Sequence, residues 1–161
     1  MEIIIPIGIS GSGKSRLYKM KYSHLELVSP DLIRKELTGD ISDQSKNKEV
    51  FDIVDKRVKS LVEEGKSFFY DATNVNKIYR EAFVNQFEGE SDIKIIYVIL
   101  PANPELSKER IDADISNGVD RSDVPVEAII RQKHMYDESI RSQFVGENVH
   151  EVIFIKKGEL E

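Results

Sequence analysis

The sequence predicts an α/β fold: a three-layer sandwich built on a five-stranded parallel sheet with helices on both faces. Three observations predict it. Short apolar segments alternate with longer amphipathic ones along the chain. The first and fourth apolar segments are almost unbroken, as in strands buried on both faces. The first of them runs straight into a glycine-rich loop with a helical segment behind it.

The elements follow in order. Residues 3–9 read as the first strand, and the helix behind the loop begins at Lys14 and runs to about Met20. Residues 25–28 form a short second strand. A short helix spans 31–37, with Pro30 at its start. Residues 45–64 form a longer helix in which Phe51, Val54, Val58, Leu61 and Val62 recur at helical spacing, closed by Gly65. Residues 67–70 make the third strand, ending on Asp71. A helix at 76–87 carries Ile78, Ala82, Phe83 and Phe87 on its expected apolar face. Residues 93–100, rich in β-branched side chains, are the fourth strand. Helices at 104–115 and 126–144 flank a polar loop at 117–123, and 152–155 is the last strand. In such a sheet, ligands bind beyond the carboxyl ends of the strands. Gly8, Ser29, Asp71 and Pro101 are therefore expected along one edge.

Bulk properties narrow the classes. The chain has 161 residues, which fits one domain spanning 1–161. It is 40% hydrophobic and 32% charged, the composition of a globular protein and not of a disordered tail. It has no cysteine, which excludes disulfides, thiolate metal sites and a cysteine nucleophile. No apolar run is long enough to span a membrane, and a cytoplasmic setting is expected. Net charge is −6, which argues against extensive duplex binding but leaves room for a local basic groove. His24, His134 and His150 show no ligand spacing.

The chemistry starts at Gly8-Ile9-Ser10-Gly11-Ser12-Gly13-Lys14-Ser15, which meets the pattern G-x-x-x-x-G-K-[ST] of the phosphate-binding P-loop. Glycines let the backbone wrap an anion and aim N–H groups at it, and the helix start adds partial positive charge. Lys14 is placed to bridge the outer phosphates of a nucleoside triphosphate, and Ser15 to put its hydroxyl on Mg²⁺. Phe68-Phe69-Tyr70-Asp71 has the shape of a Walker B strand, whose carboxylate holds Mg²⁺ directly or through water. A strand-ending aspartate that merely caps a turn is its structural alternative. Thr73 and Asn74, which follow, suit substrate contact or turn shaping equally.

Asp31 and Arg34 lie three apart on a helix that starts at the ligand edge, so they share a face. A carboxylate beside an attacking hydroxyl and a cation beside the transferring group are what phosphoryl transfer to an alcohol needs. An ordinary surface ion pair would have the same spacing. Arg110, Arg121 and Arg131 flank the polar loop, which suits a basic lid over residues 116–124 closing on a triphosphate. Arg121 is the first candidate there and Arg110 the second. Lys77 and Arg80 read as a solvated helix face.

With these residues in place, the chain resembles the phage-type 5′-hydroxyl polynucleotide kinases, the kinase module of nucleic-acid end-healing enzymes. The likeness rests on the loop Gly8 to Ser15, the Asp31-x-x-Arg34 pair, the segment Asp71-Ala72-Thr73-Asn74 and the arginine-bearing lid ending in Asp123-Val124-Pro125. It implies an adenylate-kinase-like sheet, ATP with Mg²⁺, and a 5′-OH end of DNA or RNA as acceptor. It further implies Asp31 as general base, Arg34 at the acceptor or scissile phosphate, and Arg121 on the donor phosphates. Gly8, Ser10, Gly11, Ser12, Gly13, Lys14, Ser15, Arg16 and Arg110 complete the implied nucleotide site, with Ser15 and Asp71 at the metal. Two features depart from the family pattern: Arg16 stands where threonine is common, and the stretch between Arg110 and Arg121 is longer than usual. No phosphatase or ligase module is read in the chain. Kinases of small metabolites or nucleosides share the same motifs, as do nucleotide-dependent switch proteins. An open basic groove near Asp31 would favour a polynucleotide, and a closed small cavity a metabolite.

Overall fold

The computed structural model describes residues 1–161. Its five strands are β1 (Glu2–Ile7), β2 (Glu26–Val28), β3 (Phe68–Tyr70), β4 (Lys94–Ile99) and β5 (Glu151–Phe154). They form one parallel sheet in the order β2-β3-β1-β4-β5. The helices are α1 (Lys14–Leu17), α2 (Pro30–Thr38), α3 (Asn47–Glu63), α4 (Lys77–Asn85), α5 (Pro104–Ser116) and α6 (Val126–Ser142).

The unbroken apolar run of β1 is explained by its two faces. Ile3, Ile5 and Ile7 point into a core completed by Val50, Val54 and Val58 of α3 and Val84 of α4. Ile4, between them, joins Leu17, Phe69 and Leu100 on the other side. A strand at the centre of such a sheet has no solvated face on which a polar residue would be favoured.

Local sequence sets the helix starts. Ser29 caps α2, its Oγ accepting from the Leu32 N–H at 3.3 Å, and Pro30 supplies the fixed φ of the first helical position. Asn76 caps α4 in the same way, its Oδ1 accepting from Ile78 at 3.0 Å and Tyr79 at 3.3 Å. Gly39 and Gly65 close α2 and α3 with φ of 81° and 68°.

Several expectations shift. β1 ends at Ile7, two residues early, because Gly8 already turns into the loop, where its N–H donates to Thr73 O. Behind the loop, α1 passes into a π-helical turn at Tyr18–Tyr22. The buried stripe of α3 is Val50, Val54 and Val58, narrower than expected, and Phe51 is 44% exposed. On α4, Ile78 and Ala82 face solvent and the buried residues are Arg80 and Val84.

Arg80 is the main correction. It is sealed in the core, with Nε and Nη2 on Glu147 at 2.7 and 2.8 Å and Nη1 on the carbonyl of Asn74 at 2.8 Å. Both side chains of the pair have no exposed surface. Tyr97 donates its hydroxyl to Glu147 at 2.8 Å, and the guanidinium lies 5.2 Å from the Phe144 ring centre. Sequence spacing showed a helix face but not the partner 67 residues downstream.

Candidate active site

The phosphate loop leaves β1 and returns into α1, and its shape depends on missing side chains. Gly11 and Gly13 have φ of 75° and 103°, where L side chains are strained. A Cβ on Gly11 would meet the Ser107 carbonyl at 2.7 Å, and one on Gly8 would meet Ser12 Oγ at 2.4 Å. Ser12 Oγ is buried with no hydrogen-bond partner. No side chain caps α1, so its first-turn N–H groups remain available to an anion.

Lys14 folds back over the loop and donates to the carbonyls of Gly8 at 3.2 Å and Ile9 at 2.9 Å. Desolvation pushes its pKa down to about 8. Asp71 and Asp31 oppose that shift, and Arg121 adds to it. Asp71, at the end of β3, is held above its ordinary pKa mainly by desolvation, with the Lys14 charge acting the other way. Lys14 thus feels the charges of Asp71, Arg121 and Asp31 together. A desolvated ammonium, an orphaned serine hydroxyl and free helix N–H groups together fit an anionic ligand. The neighbouring Ser15 hydroxyl and Asp71 carboxylate are hard oxygen donors that fit Mg²⁺.

A cavity of about 300 Å³ adjoins the loop. Ser10, Asp31, Arg34 and Asp71 line it, which gathers the expected residues at the carboxyl ends of the strands. Asp31 and Arg34 are paired at 2.6 Å. Arg34 is 5% exposed, whereas the Asp31 side chain is 58% exposed. Asn47 at the start of α3 accepts from Arg34 Nε and Nη2 at 3.3 and 3.1 Å.

The segment 116–124 lies beside this cavity, to which Ser122 and Val124 contribute. It is tethered by Lys35 to Asp120 and by Lys108 to Asp123 at 3.1 Å. Arg121 is held by Asp114 at 2.7 Å, and its Nε is buried without a partner. Arg110 donates to the Gly11 carbonyl at 3.3 Å, on the outside of the loop. Arg16 and Arg131 are exposed.

Two contacts were missed from sequence. Gln132 of α6 accepts from the Ser10 N–H at 2.8 Å, tying α6 to the phosphate loop. Its position three after Ile129 and four before Tyr136, a polar residue in an apolar stripe, is the signal that marks it. Asn47 is the second. Asn74, for which the sequence left substrate contact and turn shaping both open, shapes the turn: at φ 55° its Nδ2 donates to the carbonyls of Pro6 at 2.8 Å, Ala72 at 3.0 Å and Tyr70 at 3.3 Å.

Fold and loop together define a P-loop kinase fold. The chain belongs to the AAA domain family AAA_33, whose model matches residues 3–139. It is similar in structure to a chain of the Pnkp1/Rnl/Hen1 RNA repair complex, with TM-score 0.73 and 19% identity. That match covers 88% of this chain and 45% of the other, so this chain spans under half its length. A gluconokinase from Sinorhizobium meliloti 1021 aligns with TM-score 0.55 and 15% identity, over 96% of this chain and 81% of that one. Shikimate kinase from Acinetobacter baumannii, in complex with shikimate, aligns with TM-score 0.52 and 15% identity, over 98% and 86%. None of the curated proteins matches the chain. No helix is long and apolar enough to cross a membrane.

Proposed function

We propose that the chain is an ATP-dependent kinase that moves the γ-phosphoryl group to a 5′-hydroxyl end of DNA or RNA. The observation that carries this is the Asp31–Arg34 pair, set in the wall of a cavity that also reaches Ser10 of the phosphate loop and Asp71. A carboxylate and a fixed cation beside the phosphate loop are what transfer to a hydroxyl acceptor needs, which supports the reading.

Asp31 takes the proton of the acceptor hydroxyl as its oxygen bonds to the γ-phosphorus and the bond to the ADP oxygen breaks. Arg34, its fork held by Asn47, steadies the charge that develops on the transferring group. Lys14 exchanges two loop carbonyls for phosphate oxygens. Burial that disfavours its charge without a ligand makes an anion its natural partner. Arg121, with an unused N–H, closes over the donor phosphates from the lid. Ser15 and Asp71 would hold Mg²⁺, which supplies charge neutralisation at the phosphates. Arg110 braces the loop from behind.

A small-metabolite acceptor is the second reading. The cavity is modest in volume, and Arg34 is the only cation among its lining residues. The deciding experiment supplies γ-labelled ATP and Mg²⁺ with a single-stranded 5′-OH oligonucleotide, beside its 5′-phosphorylated twin. Label on the 5′-OH strand alone, falling by about 10²–10⁴-fold in Asp31→Asn, is the expected result. ATP bound without transfer to DNA or RNA would overturn the polynucleotide reading and turn the search to small alcohols.

A further inference from the structure

The acceptor cavity has a second wall whose polarity is fixed by logic running outward from Arg34. A guanidinium has donors and no acceptor. Two of its N–H groups, Nε and Nη2, converge on one atom of Asn47 at 3.3 and 3.1 Å, so that atom is the carbonyl oxygen. The other end of Asn47 is then its NH₂ group, and it donates to Gln44 at 2.8 Å. The atom that receives it is the Gln44 carbonyl oxygen. Gln44 is left with an NH₂ group that donates to nothing in the protein, on a residue that lines the cavity. The charge on Arg34 thus sets the orientation of two successive amides and leaves the Gln44 NH₂ as a donor without a protein partner on the cavity's rim. Beside Gln44 in the same lining stands Phe51, whose ring is left exposed on α3 while Val50 and Val54 take up the buried stripe.

We propose that Gln44 and Phe51 determine acceptor specificity: Phe51 offers a face to a planar ring, and Gln44 donates to an oxygen of the same unit, so the acceptor is a nucleoside unit and not an aliphatic polyol. Base–aromatic stacking tolerates every base. A donor aimed at an oxygen rejects analogues that lack one. The oxygen is a base carbonyl or a 3′-phosphate oxygen, both hydrogen-bond acceptors. This inference rests on the kinase reading above.

Two readouts keep the two ideas separate. The first is label transfer to an oligonucleotide whose 5′-terminal nucleoside is intact or abasic. The second is calorimetric binding of guanosine 3′-monophosphate, or guanosine alone, to protein preloaded with a non-hydrolysable ATP analogue and Mg²⁺. Gln44→Glu keeps the oxygen that Asn47 needs and removes the donor. Phe51→Leu keeps an apolar side chain and removes the ring. Both positions are exposed, so both variants are expected to fold.

Each variant is expected to raise the acceptor KM tenfold or more while the KM for ATP stays unchanged. The Phe51→Leu effect should vanish on the abasic end. A Gln44→Glu binding defect seen with guanosine as well as its 3′-monophosphate identifies the base as the oxygen source, and a defect confined to the monophosphate identifies the phosphate. Transfer with unchanged acceptor KM in both variants overturns the inference and leaves the kinase reading standing. An equal Phe51→Leu penalty on intact and abasic ends overturns the stacking role. Probe binding that depends on Gln44 and Phe51, without transfer to any 5′-OH strand, sustains the wall and overturns the polynucleotide reading. Wild-type protein that neither transfers nor binds the probe overturns both.

Discussion

Arg80 and Arg34 are both nearly sealed from water, at 2% and 5% exposed, yet their carboxylate partners differ. Glu147 is buried with Arg80, and each donor of the trio with Tyr97 finds an acceptor inside the core. Asp31 reaches out of the pair with Arg34 and keeps more than half its side chain exposed, on a residue that lines the cavity. The first arrangement has nothing left to offer a ligand, while the second holds the cation still and leaves the carboxylate free. Burial of an arginine therefore says little about its role, and the exposure of its partner says more.

Breaking each pair should separate the roles. Arg80→Met strands a buried carboxylate and should cost about 3–5 kcal/mol in urea unfolding. The surviving folded fraction should keep its nucleotide affinity. Arg34→Met should cost only about 1–2 kcal/mol, because Asp31 and Asn47 can both turn to water. Its phosphoryl transfer should nevertheless fall at least about a hundredfold. Equal stability losses in the two variants would erase the distinction. A smaller loss of stability than that of Arg80→Met is expected from Tyr97→Phe, which removes one hydrogen bond to the buried carboxylate. It should cost about 1.5–3 kcal/mol of stability and leave turnover unchanged.

Lys14 is a third cation, withdrawn from water with only carbonyls as direct partners. Its pKa is lowered in the fold, so its charged form costs stability below about pH 8. Between about pH 8 and 10.5 the unfolded chain binds the proton and the fold does not, so the stability contributed by this group rises with pH. Lys14→Met should remove that rise and stabilise the ligand-free protein by about 0.5–2 kcal/mol at pH 7. Nucleotide binding should be lost in the same variant. Thermal melts at pH 7 and 9, with and without ATP, check both halves.

The sheet and the phosphate loop were legible because backbone geometry writes itself into residue type. The positive φ at Gly11 and Gly13 requires glycine, and a strand buried on both faces cannot alternate. Asp31 and Arg34 were legible because their partnership is local, within one turn of α2. Helix faces were less so. Phe51 and Ile78 are apolar and sit near the right period, but each lies on the rim of a stripe whose width only packing decides. The tie from Gln132 to Ser10 spans 122 residues, and that from Arg80 to Glu147 spans 67, so even where a polar residue interrupts an apolar stripe, as Gln132 does, its partner is not written nearby.

The stitching beyond β1 and β3 has a mechanical consequence. Gly8 N–H is fastened to Thr73 O at 3.0 Å, and the Asn74 amide grips carbonyls of both chain segments. The root of the phosphate loop and the carboxylate of Asp71 thus ride on a single plate with no hinge between them. A ligand that touches both the phosphate loop and Asp71 therefore meets two groups whose spacing the sheet itself has already set.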